Sequence, residues 1–497
     1  MADPESAGPA GLRPREAETV VSSDAMILQP LDLTARRHVV TGPAAGARLL
    51  GLLEADSPTN ETEPLRLSDD EYSEDQRQDE EGETEVTREL PPFIWIDYLV
   101  FILLGVAMLW SWNMFLAAGP YFQRRFRSND WISRNFQPAE LTVSSIVTLA
   151  SVLLFTFLQA KANYARRIVT ALIANTVNFT LLSMSTRLFT NVSAGGYFGF
   201  LLVEVLAASI ATGLVQNGIF AYVSGFGREE YTQGIMTGQG IAGVAPPIVQ
   251  LISVLSAPPI DAQRETAGKS STSALAYFAT AACISFLTLL TFLQMAARRR
   301  HTQRDKCLTE DLIERNDAPR RSVPLWILFK KTRWLSSAVF LTFCITMFFP
   351  VFTQRIRSVK TSDDPPRLLE PESFIPLAFF FWNAGDLTGR LLTALPALRI
   401  TSKPRSVFTL SAARILWVPL YYLCNIDGNG AVINSDFFYL VIVQFLFGVS
   451  NGFLGSTCMM GAIEYVEPEE REAAGGFMGL MLVGGLTCGS LLSFLVA

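Results

Sequence analysis

The sequence predicts an all-α polytopic membrane protein with eleven transmembrane helices in a 6+5 arrangement and a cytosolic N-terminus. Hydrophobic residues make up 49% of the 497 residues, charged residues only 17%, and the mean hydropathy is +0.29. These values are high for a soluble chain of this length. From about residue 93 onward, apolar segments of roughly 20 residues follow one another, and each is long enough to cross a bilayer as a helix.

The first 90 residues differ in composition from the rest of the chain. They are rich in Pro, Ser, Glu and Asp, include the run SDDEYSEDQRQDEEGETE, and carry 21 acidic against 8 basic residues. A segment with so little apolar surface cannot bury a core, so we expect residues 1–90 to form a disordered acidic tail. The N-terminus lacks the basic and apolar regions of a cleavable signal peptide, which predicts that the tail stays in the cytosol.

The apolar segments and the loops between them predict the helices and their orientation. The predicted spans are 93–118, 138–160, 166–189, 196–223, 232–256, 273–297, 334–353, 373–396, 406–424, 436–463 and 473–496. The loops assigned to the cytosol include KANYARR at 161–167 and RITSKPR at 399–405. They hold about 20 basic residues against about 10 in the outer loops, and this asymmetry places the N-terminus inside.

The longest basic loop divides the predicted helices into two groups. Residues 91–297 would form an N-terminal six-helix bundle, 298–333 a basic cytosolic loop, and 334–497 a C-terminal five-helix bundle. A 6+5 pattern with a central cytosolic loop resembles a major-facilitator transporter that lacks its last helix. In carriers of that kind the two halves rock around a site near the middle of the membrane.

The sequence lacks the motifs of an enzyme or of a metal site. It contains no HExxH or GxSxG motif, its six cysteines have no metal-ligand spacing, and its two histidines lie in polar segments. TAGKSS at 266–271 resembles the end of a phosphate-binding loop, but Gln263 stands where the first glycine is required. No cofactor, metal ion or nucleic acid is therefore predicted as a ligand, and transport without ATP hydrolysis remains as the default.

The stretch GQGIAG at 238–243 matches a dinucleotide-binding motif in form but lies inside a predicted span. A dinucleotide site would need this stretch at a strand-to-helix turn. We interpret it as a packing element, because small residues four apart let two helix backbones approach closely. The same interpretation applies to three pairs, Gly234 and Gly238, Gly448 and Gly452, and Gly485 and Gly489.

One predicted span, FIPLAFFFWNAGDLTGRLL, carries an acid and a base at mid-membrane depth. Asp386 and Arg390 stand four residues apart and share one helix face, which Asn383 and Phe379 extend. Charges at that depth cost a few kcal/mol each, so they are rare without a role. The pair forms either part of a binding site or an ion pair that locks two helices, and geometry alone leaves both readings open.

Further polar residues lie inside or beside predicted spans. Glu204 and Gln216 fall in the fourth span and Arg414 in the ninth. For Glu204 and Arg414, a structural contact between helices fits the sequence at least as well as a substrate or proton role. Glu204, together with Glu464 and Glu472 near the inner end of the tenth span, is a candidate proton-sensitive group.

Four stretches together resemble the equilibrative nucleoside transporter family (solute carrier family 29). FFFWNAGDLTGR is similar to the family's span-eight signature, LWSWNMF (109–115) to its span-one element, IMTGQGIAG (235–243) to its span-five element and GVSNGFLGS (448–456) to its span-ten element. They occur in the family's order, and the resemblance covers about residues 93–497. It implies a facilitative carrier of purine and pyrimidine nucleosides, with nucleobases as a further candidate substrate, that works by alternating access and without ATP.

The resemblance also implies a substrate site. The residues that would line its apolar walls and floor are Leu109, Trp112, Leu116, Phe349, Phe379 and Leu486. Gln216 would hydrogen-bond the base. Asp386 and Arg390, with Asn383 beside them, would meet the ribose hydroxyls. Ser111 stands where the family usually has a proline before Trp-Asn, so the first helix is expected to be less kinked there.

A nucleoside suits the chemistry of these side chains. Its flat base can stack on aromatic rings, which contributes about 1–3 kcal/mol per base. Its diol can donate to a carboxylate, while a guanidinium holds that carboxylate and donates as well. This match favours a substrate role for Asp386 over a simple lock.

Other classes of protein remain open alternatives from the sequence. Another facilitator-type secondary carrier, for sugars, peptides or drugs and with or without proton coupling, would share the helix pattern. A channel or receptor would use the pair of Asp386 and Arg390 as a gate or a lock. The long acidic tail and the overall pattern resemble the fungal vacuolar or lysosomal branch of the family. We therefore expect the protein in the lipid bilayer of the vacuole or lysosome, with the plasma membrane as the alternative. We also expect a monomer.

Overall fold

The computed structural model describes residues 92–159, 162–256, 266–310, 323–360 and 366–493. The predicted acidic tail, residues 1–90, lies outside these ranges. All described residues belong to one compact unit. They are almost entirely helical, with one isolated antiparallel bridge between Ile356 and Ile426.

The described residues form a series of α-helices that follow one another closely along the chain. These are α1 (Trp95–Ala117), α2 (Gly119–Arg125), α3 (Asp130–Phe157), α4 (Tyr164–Leu188), α5 (Ala194–Ser224), α6 (Glu229–Ser256), α7 (Thr266–Glu310), α8 (Leu325–Thr346), α9 (Phe348–Arg355), α10 (Pro371–Leu392), α11 (Pro404–Ala413), α12 (Trp417–Tyr421), α13 (Leu446–Gly461) and α14 (Arg471–Ser493). A π-helical segment, Phe438–Phe445, leads directly into α13.

Side-chain caps set the starts of three helices. The side-chain oxygens of Asn129, Asn163 and Ser193 accept hydrogen bonds from main-chain N–H groups three residues on, at 3.1, 3.0 and 3.2 Å. Such caps satisfy N–H groups that have no partner inside the first turn. The second predicted span began at residue 138, whereas α3 begins at Asp130, because hydropathy detects apolar residues and not the capped polar turns before them.

By length and composition, nine helical stretches of the described residues could cross a membrane. These are Trp95–Arg125, Asp130–Phe157, Tyr164–Leu188, Ala194–Ser224, Glu229–Ser256, Ser271–Arg300, Leu325–Arg355, Phe438–Tyr465 and Pro468–Ser493. Each overlaps one predicted span. The remaining two predicted spans, 373–396 and 406–424, coincide with α10 and with α11 plus α12.

These two elements fall outside the nine for different physical reasons. Helix α10 has 22 residues, which is long enough, but its polar residues Asn383, Asp386 and Arg390 lower its mean hydropathy. The predicted span 406–424 is interrupted by a 3-10 turn, Arg414–Leu416, between α11 and α12. Pro419 has no N–H group and so cannot continue the α-helical hydrogen bonds across that turn.

Glycines bring α10 and α13 into close backbone contact. A Cβ atom on Gly448 would overlap the carbonyl oxygen of Trp382, and one on Gly452 would overlap that of Asp386. Across the interface, a Cβ on Gly389 would overlap the carbonyl oxygen of Val449. The predicted packing role of the Gly448 and Gly452 pair is therefore confirmed.

The other predicted glycine pairs also lie where helices meet. A Cβ atom on Gly238 would overlap the main chain of α1 at Ile102. Those on Gly485 and Gly489 would overlap the carbonyl oxygens of Phe340 and Cys344 on α8. Helix α10 thus packs between α6 and α13, while α6 also packs on α1 and α13 on α8. This places the middle of α10 within reach of side chains from several helices.

Candidate functional site

A buried ion pair lies in the last two turns of α10. Arg390 Nε donates to Asp386 Oδ2 at 2.7 Å, and the side chains are 5% and 6% exposed, respectively. The two residues stand four apart, so one helix face carries both. The predicted pairing of this acid and base is confirmed.

Helix α6 holds Arg390 from the opposite side. Arg390 Nη1 donates to the carbonyl oxygen of Met236 at 2.9 Å and to Gln239 Oε1 at 3.1 Å. Gln233 Nε2 donates to the Arg390 carbonyl oxygen at 3.3 Å, and Tyr98 OH donates to Gln233 Oε1 at 2.6 Å. Among the residues that the structure describes, the Nη2 group of Arg390 has no hydrogen-bond partner. The guanidinium therefore keeps donors that a ligand can use.

Asp386 is bound through its second oxygen by α13. Asn451 Nδ2 donates to Asp386 Oδ1 at 2.7 Å, and Thr346 Oγ1 on α8 donates to Asn451 Oδ1 at 2.5 Å. Each carboxylate oxygen has two lone pairs, so each keeps an acceptor position after these bonds. The carboxylate is thus fixed in direction and can still accept from a hydroxyl group.

Arg414 joins the same network from the turn between α11 and α12. Its Nη2 donates to Thr346 Oγ1 at 3.1 Å, its Nη1 to the Thr342 carbonyl oxygen at 2.5 Å, and its Nε to Ser450 Oγ at 3.1 Å. The guanidinium also lies 4.7 Å from the centre of the Phe447 ring. Its side chain is almost fully buried. A connected set of hydrogen bonds therefore runs from Arg390 on α10 to Arg414.

Three aromatic side chains form what we call the aromatic wall: Phe379 and Trp382, one to two turns before Asp386 on α10, and Phe349 on α9. Phe349 stacks on Trp382, with ring centres 4.1 Å apart and planes 6° apart, and meets Phe379 edge-on at 5.3 Å. The buried indole N–H of Trp382 has no hydrogen-bond partner among the described residues. Asn383 Nδ2 donates to the Phe379 carbonyl oxygen at 2.8 Å, and its Oδ1 faces Gly243 of α6. Asn383 therefore lies beside the ion pair as predicted but bonds to its own helix.

The predicted site residues on α1 lie on the helix that packs against α6. Trp112 stacks on Phe115 of its own helix, with ring centres 6.0 Å apart. Leu109 is 36% exposed and Leu116 is half-buried. Beside Trp112, Asn113 Nδ2 donates to the carbonyl oxygen of Ala242 on α6 at 2.9 Å. Helix α6 therefore connects this part of α1 to the α10 ion pair.

The remaining two predicted lining residues lie on neighbouring helices. Gln216 is buried on α5. Helix α5 packs against α14, where the Gln216 carbonyl oxygen is 3.8 Å from the position that a Cβ on Gly479 would take. Leu486 of α14 is half-buried and packs against the central apolar cluster, which includes Leu482 and Val483.

Three buried acids lie in the helices before α6: Asp97, which pairs with Arg298 and Arg299, and Glu204 and Glu140, which have no described cation. The amide nitrogen of Asn178, in the orientation that satisfies both its amide atoms, donates to Glu204 Oε2. Glu140, on α3, is 4% exposed, and no hydrogen-bond or ion-pair partner for it lies among the described residues. Glu140 was missed in the sequence analysis, although it falls inside a predicted span and the rule that singled out Glu204 applies to it.

The other two predicted proton-sensitive acids lie at the helix ends. Glu464 Oε1 accepts from Arg399 Nη2 at 2.7 Å and from Thr401 Oγ1 at 3.1 Å. Arg399 Nη1 also pairs with Glu229 of α6 at 2.7 Å. The hydrogen bond to Glu464 raises the pKa of Arg399, which therefore stays charged. Glu472 begins α14 and lies against Gly225 at the end of α5.

The sequence analysis missed three further members of the network, Gln239, Thr346 and Asn451, and one member of the aromatic wall, Trp382. Three of them stand within quoted motifs, Gln239 in GQGIAG, Trp382 in FFFWNAGDLTGR and Asn451 in GVSNGFLGS. A polar side chain inside an apolar span is the signal that could have found Gln239, Thr346 and Asn451. Together with the ion pair, Gln239, Thr346 and Asn451 form a buried polar network that lies beside the aromatic wall.

The family of the chain follows from comparison with known proteins. The model of the nucleoside transporter family matches residues 202–497, which include α10, α13 and the whole buried network. The chain belongs to the nucleoside transporter family. This is a family of transporters and not of enzymes.

Relatives within the nucleoside transporter family match most of the chain. The nucleoside transporter FUN26 of Saccharomyces cerevisiae is 29% identical over 446 residues, which cover 80% of this chain and 83% of the relative. The equilibrative nucleoside transporter 1 of Rattus norvegicus is 27% identical over 457 residues, which cover 80% of this chain and 96% of the relative.

Solved structures place this member of the nucleoside transporter family in the major-facilitator fold. The outward conformation of the transporter FucP matches with a TM-score of 0.52 and 14% identity, over 81% of this chain and 95% of that structure. The proton:xylose symporter XylE bound to 6-bromo-6-deoxy-D-glucose matches with a TM-score of 0.54 and 10% identity, over 80% of this chain and 86% of that structure. The likeness to these two structures concerns the fold alone.

Proposed function

We propose that the protein is a facilitative nucleoside carrier that works by alternating access, and that Asp386 and Arg390 bind the sugar hydroxyls. The observation that supports this assignment is the buried ion pair on α10. Protein groups bond each of its two side chains, and acceptor and donor positions on both remain free. Both relatives described above are named as nucleoside transporters. A carrier of that class needs a site for a neutral ligand with a diol.

The geometry supports a sugar role for the pair. Asp386 accepts one hydrogen bond at each oxygen, from Arg390 and from Asn451, which leaves a lone pair on each oxygen for a hydroxyl donor. The Nη2 group of Arg390 can donate to a hydroxyl oxygen at the same time. Because the two charges neutralise each other, the empty site avoids an isolated charge in the membrane.

The aromatic wall supports a place for the base. Phe379 and Trp382 lie one to two turns before Asp386 on α10, and Phe349 of α9 packs against both. Of the three rings, Phe379 is half-buried and keeps ring surface for a base. Stacking on such rings is tolerant of base identity, since every base has a π-face. This suits a carrier of both purine and pyrimidine nucleosides, with nucleobases as a further candidate. Leu109, Trp112, Leu116, Gln216, Asn383 and Leu486 complete the proposed site.

We also propose the finer arrangement of the chain in its membrane. Helix α10 and the interrupted α11–α12 element would add two spans to the nine that length and composition identify, giving eleven with the N-terminus in the cytosol. The Lys and Arg asymmetry between loops supports this orientation. Residues 91–297 and 334–497 would then form the two halves of a monomer, and the long acidic tail supports a place in the vacuolar or lysosomal membrane.

Uptake into proteoliposomes tests the sugar role of Asp386. Asp386→Asn removes the charge but keeps the shape, and a hydrogen bond to a charged group is worth about 1.5–3 kcal/mol. We therefore expect uridine uptake to fall about 10- to 100-fold, with equal protein in the liposomes. Asp427→Asn, a matched change at an exposed loop residue, should leave uptake unchanged. Near-normal uridine uptake by Asp386→Asn would contradict the assignment.

A further inference from the structure

The sequence leaves the role of Arg414 undecided. Its contacts in the structure indicate what that role is. Arg414 is 2% exposed and lies on the turn Arg414–Leu416, outside α10. Among the described residues, no carboxylate lies within ion-pair distance of its guanidinium. The hydrogen-bonded path from Arg414 leads through Thr346 and Asn451 to the carboxylate of Asp386. The buried network thus holds two guanidinium groups and one carboxylate.

The hydrogen bonds between Arg414 and Asp386 have a fixed direction. A guanidinium can only donate, so Thr346 Oγ1 must accept from Arg414 and is left with one hydrogen of its own. That hydrogen can go to the Thr342 carbonyl oxygen at 2.8 Å or to Asn451 Oδ1 at 2.5 Å. The Thr342 carbonyl oxygen already accepts from Arg414, whereas no other described donor serves Asn451 Oδ1.

The direction of the Thr346 hydroxyl decides the orientation of Asn451. With its Oδ1 accepting from Thr346, the amide must present Nδ2 to Asp386. The reverse amide would place an oxygen against the carboxylate, where both groups are acceptors and repel. In a low-dielectric interior, hydrogen bonds in such a chain polarise and strengthen one another.

We infer that Arg414 is a positioning residue for substrate binding, acting through Thr346 and Asn451 to aim the Asp386 carboxylate at the sugar hydroxyls. This inference rests on the proposed function of Asp386. Arg414 itself touches neither the carboxylate nor the proposed substrate position. Its guanidinium orients the Thr346 hydroxyl and, through it, the Asn451 amide that bonds Asp386 Oδ1. Arg390 bonds Oδ2 directly, so one arginine acts on the carboxylate directly and the other through two side chains.

The ratio of uridine uptake to 2′,3′-dideoxyuridine uptake, measured in proteoliposomes well below saturation, tests the inference. The second nucleoside lacks the 2′- and 3′-hydroxyls of the diol, so a change that acts on binding of the diol lowers the ratio. Thr346→Val removes the hydroxyl at nearly constant shape and leaves both arginines in place. We expect it to lower the ratio about three- to tenfold, the range for one neutral hydrogen bond.

Two further variants accompany Thr346→Val. Arg414→Gln should lower the uptake ratio at least as much as Thr346→Val. Thr332→Val is the matched control, because Thr332 is a buried threonine of the same helix whose hydroxyl donates to the Leu328 carbonyl oxygen. Its uptake ratio should equal that of the unchanged protein.

The outcomes separate the inference from the proposed function. If Asp386→Asn lowers the uptake ratio but Thr346→Val lowers uptake of both nucleosides equally, Arg414 and Thr346 are structural and the inference is wrong. If Asp386→Asn leaves the ratio unchanged, the sugar role of Asp386 fails and the inference fails with it. A selective fall in the ratio with Thr346→Val, absent in Thr332→Val, supports the inference even where Arg414→Gln does not fold.

Discussion

The two parts of the helix bundle hold buried charge in different ways. In the later part, Asp386 and Arg390 bond directly and Arg414 joins them through two intervening side chains. In the earlier part, Glu204 is contacted by an amide, and Glu140 has no polar partner among the described residues. The later part therefore neutralises its buried carboxylate, whereas the earlier part pairs Asp97 with Arg298 and Arg299 but buries Glu140 and Glu204 without a described cation.

The difference teaches where charge contributes to the fold. Removing one member of a neutralised pair leaves its partner buried and unpaired, which costs about 3–5 kcal/mol. Removing an acid that has no cation leaves no buried counter-charge unpaired and relieves the cost of burying a charge. The network around α10 is thus part of what holds the helices together, while Glu140 and Glu204 are groups whose charge the fold does not need. This keeps Glu204 as a candidate proton-sensitive group.

The largest expected difference in stability is between two variants that each neutralise one acid, Asp386 in the later region and Glu204 in the earlier one. Asp386→Asn leaves two buried arginines without a carboxylate, so we expect the free energy of unfolding to fall by roughly 3 kcal/mol. Glu204→Gln keeps a hydrogen-bond acceptor for Asn178 and removes an uncompensated charge, so we expect stability within about 1 kcal/mol of the original or higher. Thermal unfolding of the purified proteins in detergent measures both. Equal losses in the two variants would show that the regions do not differ.

The sequence predicts the local part of the site well. The i, i+4 pairing of Asp386 and Arg390 follows from helix periodicity alone, and the glycines at 448 and 452 predict a close helix contact without naming the partner helix. Nothing local states that Asn451 and Thr346 connect the pair to Arg414. That connection depends on which helices pack together, and packing is a property of the tertiary fold.

Irregular helices are the other feature that the sequence analysis could not supply. Hydropathy predicts one continuous span over 406–424, but the structure breaks it at the turn beginning with Arg414, close to Pro419. Hydropathy averages over a window, so it does not register a single 3-10 turn. The turn matters for the site, because it carries the Arg414 guanidinium toward α8 and α13.

A smaller effect is expected from separating α10 and α13 without changing any charge. In Gly452→Ala the new methyl group would overlap the Asp386 carbonyl oxygen, which is backbone and cannot rotate away. Overpacking of this kind costs about 1–3 kcal/mol, and it should also stretch the bond from Asn451 to Asp386. The matched control is Gly484→Ala, where the nearest atom, on Phe340, is 3.6 Å away. Thermal unfolding that is equal in both variants would contradict the role assigned to this contact.

The smallest effect on stability is expected at an exposed ion pair that has the same N–O distance as the buried one. Arg355 Nη2 and Asp427 Oδ2 are 2.7 Å apart, but both side chains are more than 40% exposed. Such pairs contribute about 1 kcal/mol or less. The Asp427→Asn change should therefore alter stability slightly, and asparagine tolerates the positive φ of 54° at this position.

The pH and salt dependence of Asp427→Asn shows whether burial or the N–O distance determines how much an ion pair contributes to stability. The hydrogen bond from Arg355 lowers the pKa of Asp427. Its contribution is therefore present above the unfolded aspartate pKa of about 3.9 and lost as pH falls through the lower folded value. Thermal unfolding of Asp427→Asn should converge with that of the unchanged protein at low pH and in 1 M salt, where the Debye length is about 3 Å. Asp386→Asn should remain destabilised in the same high salt, because ions do not reach a buried pair; convergence there would mean that the two pairs are equivalent.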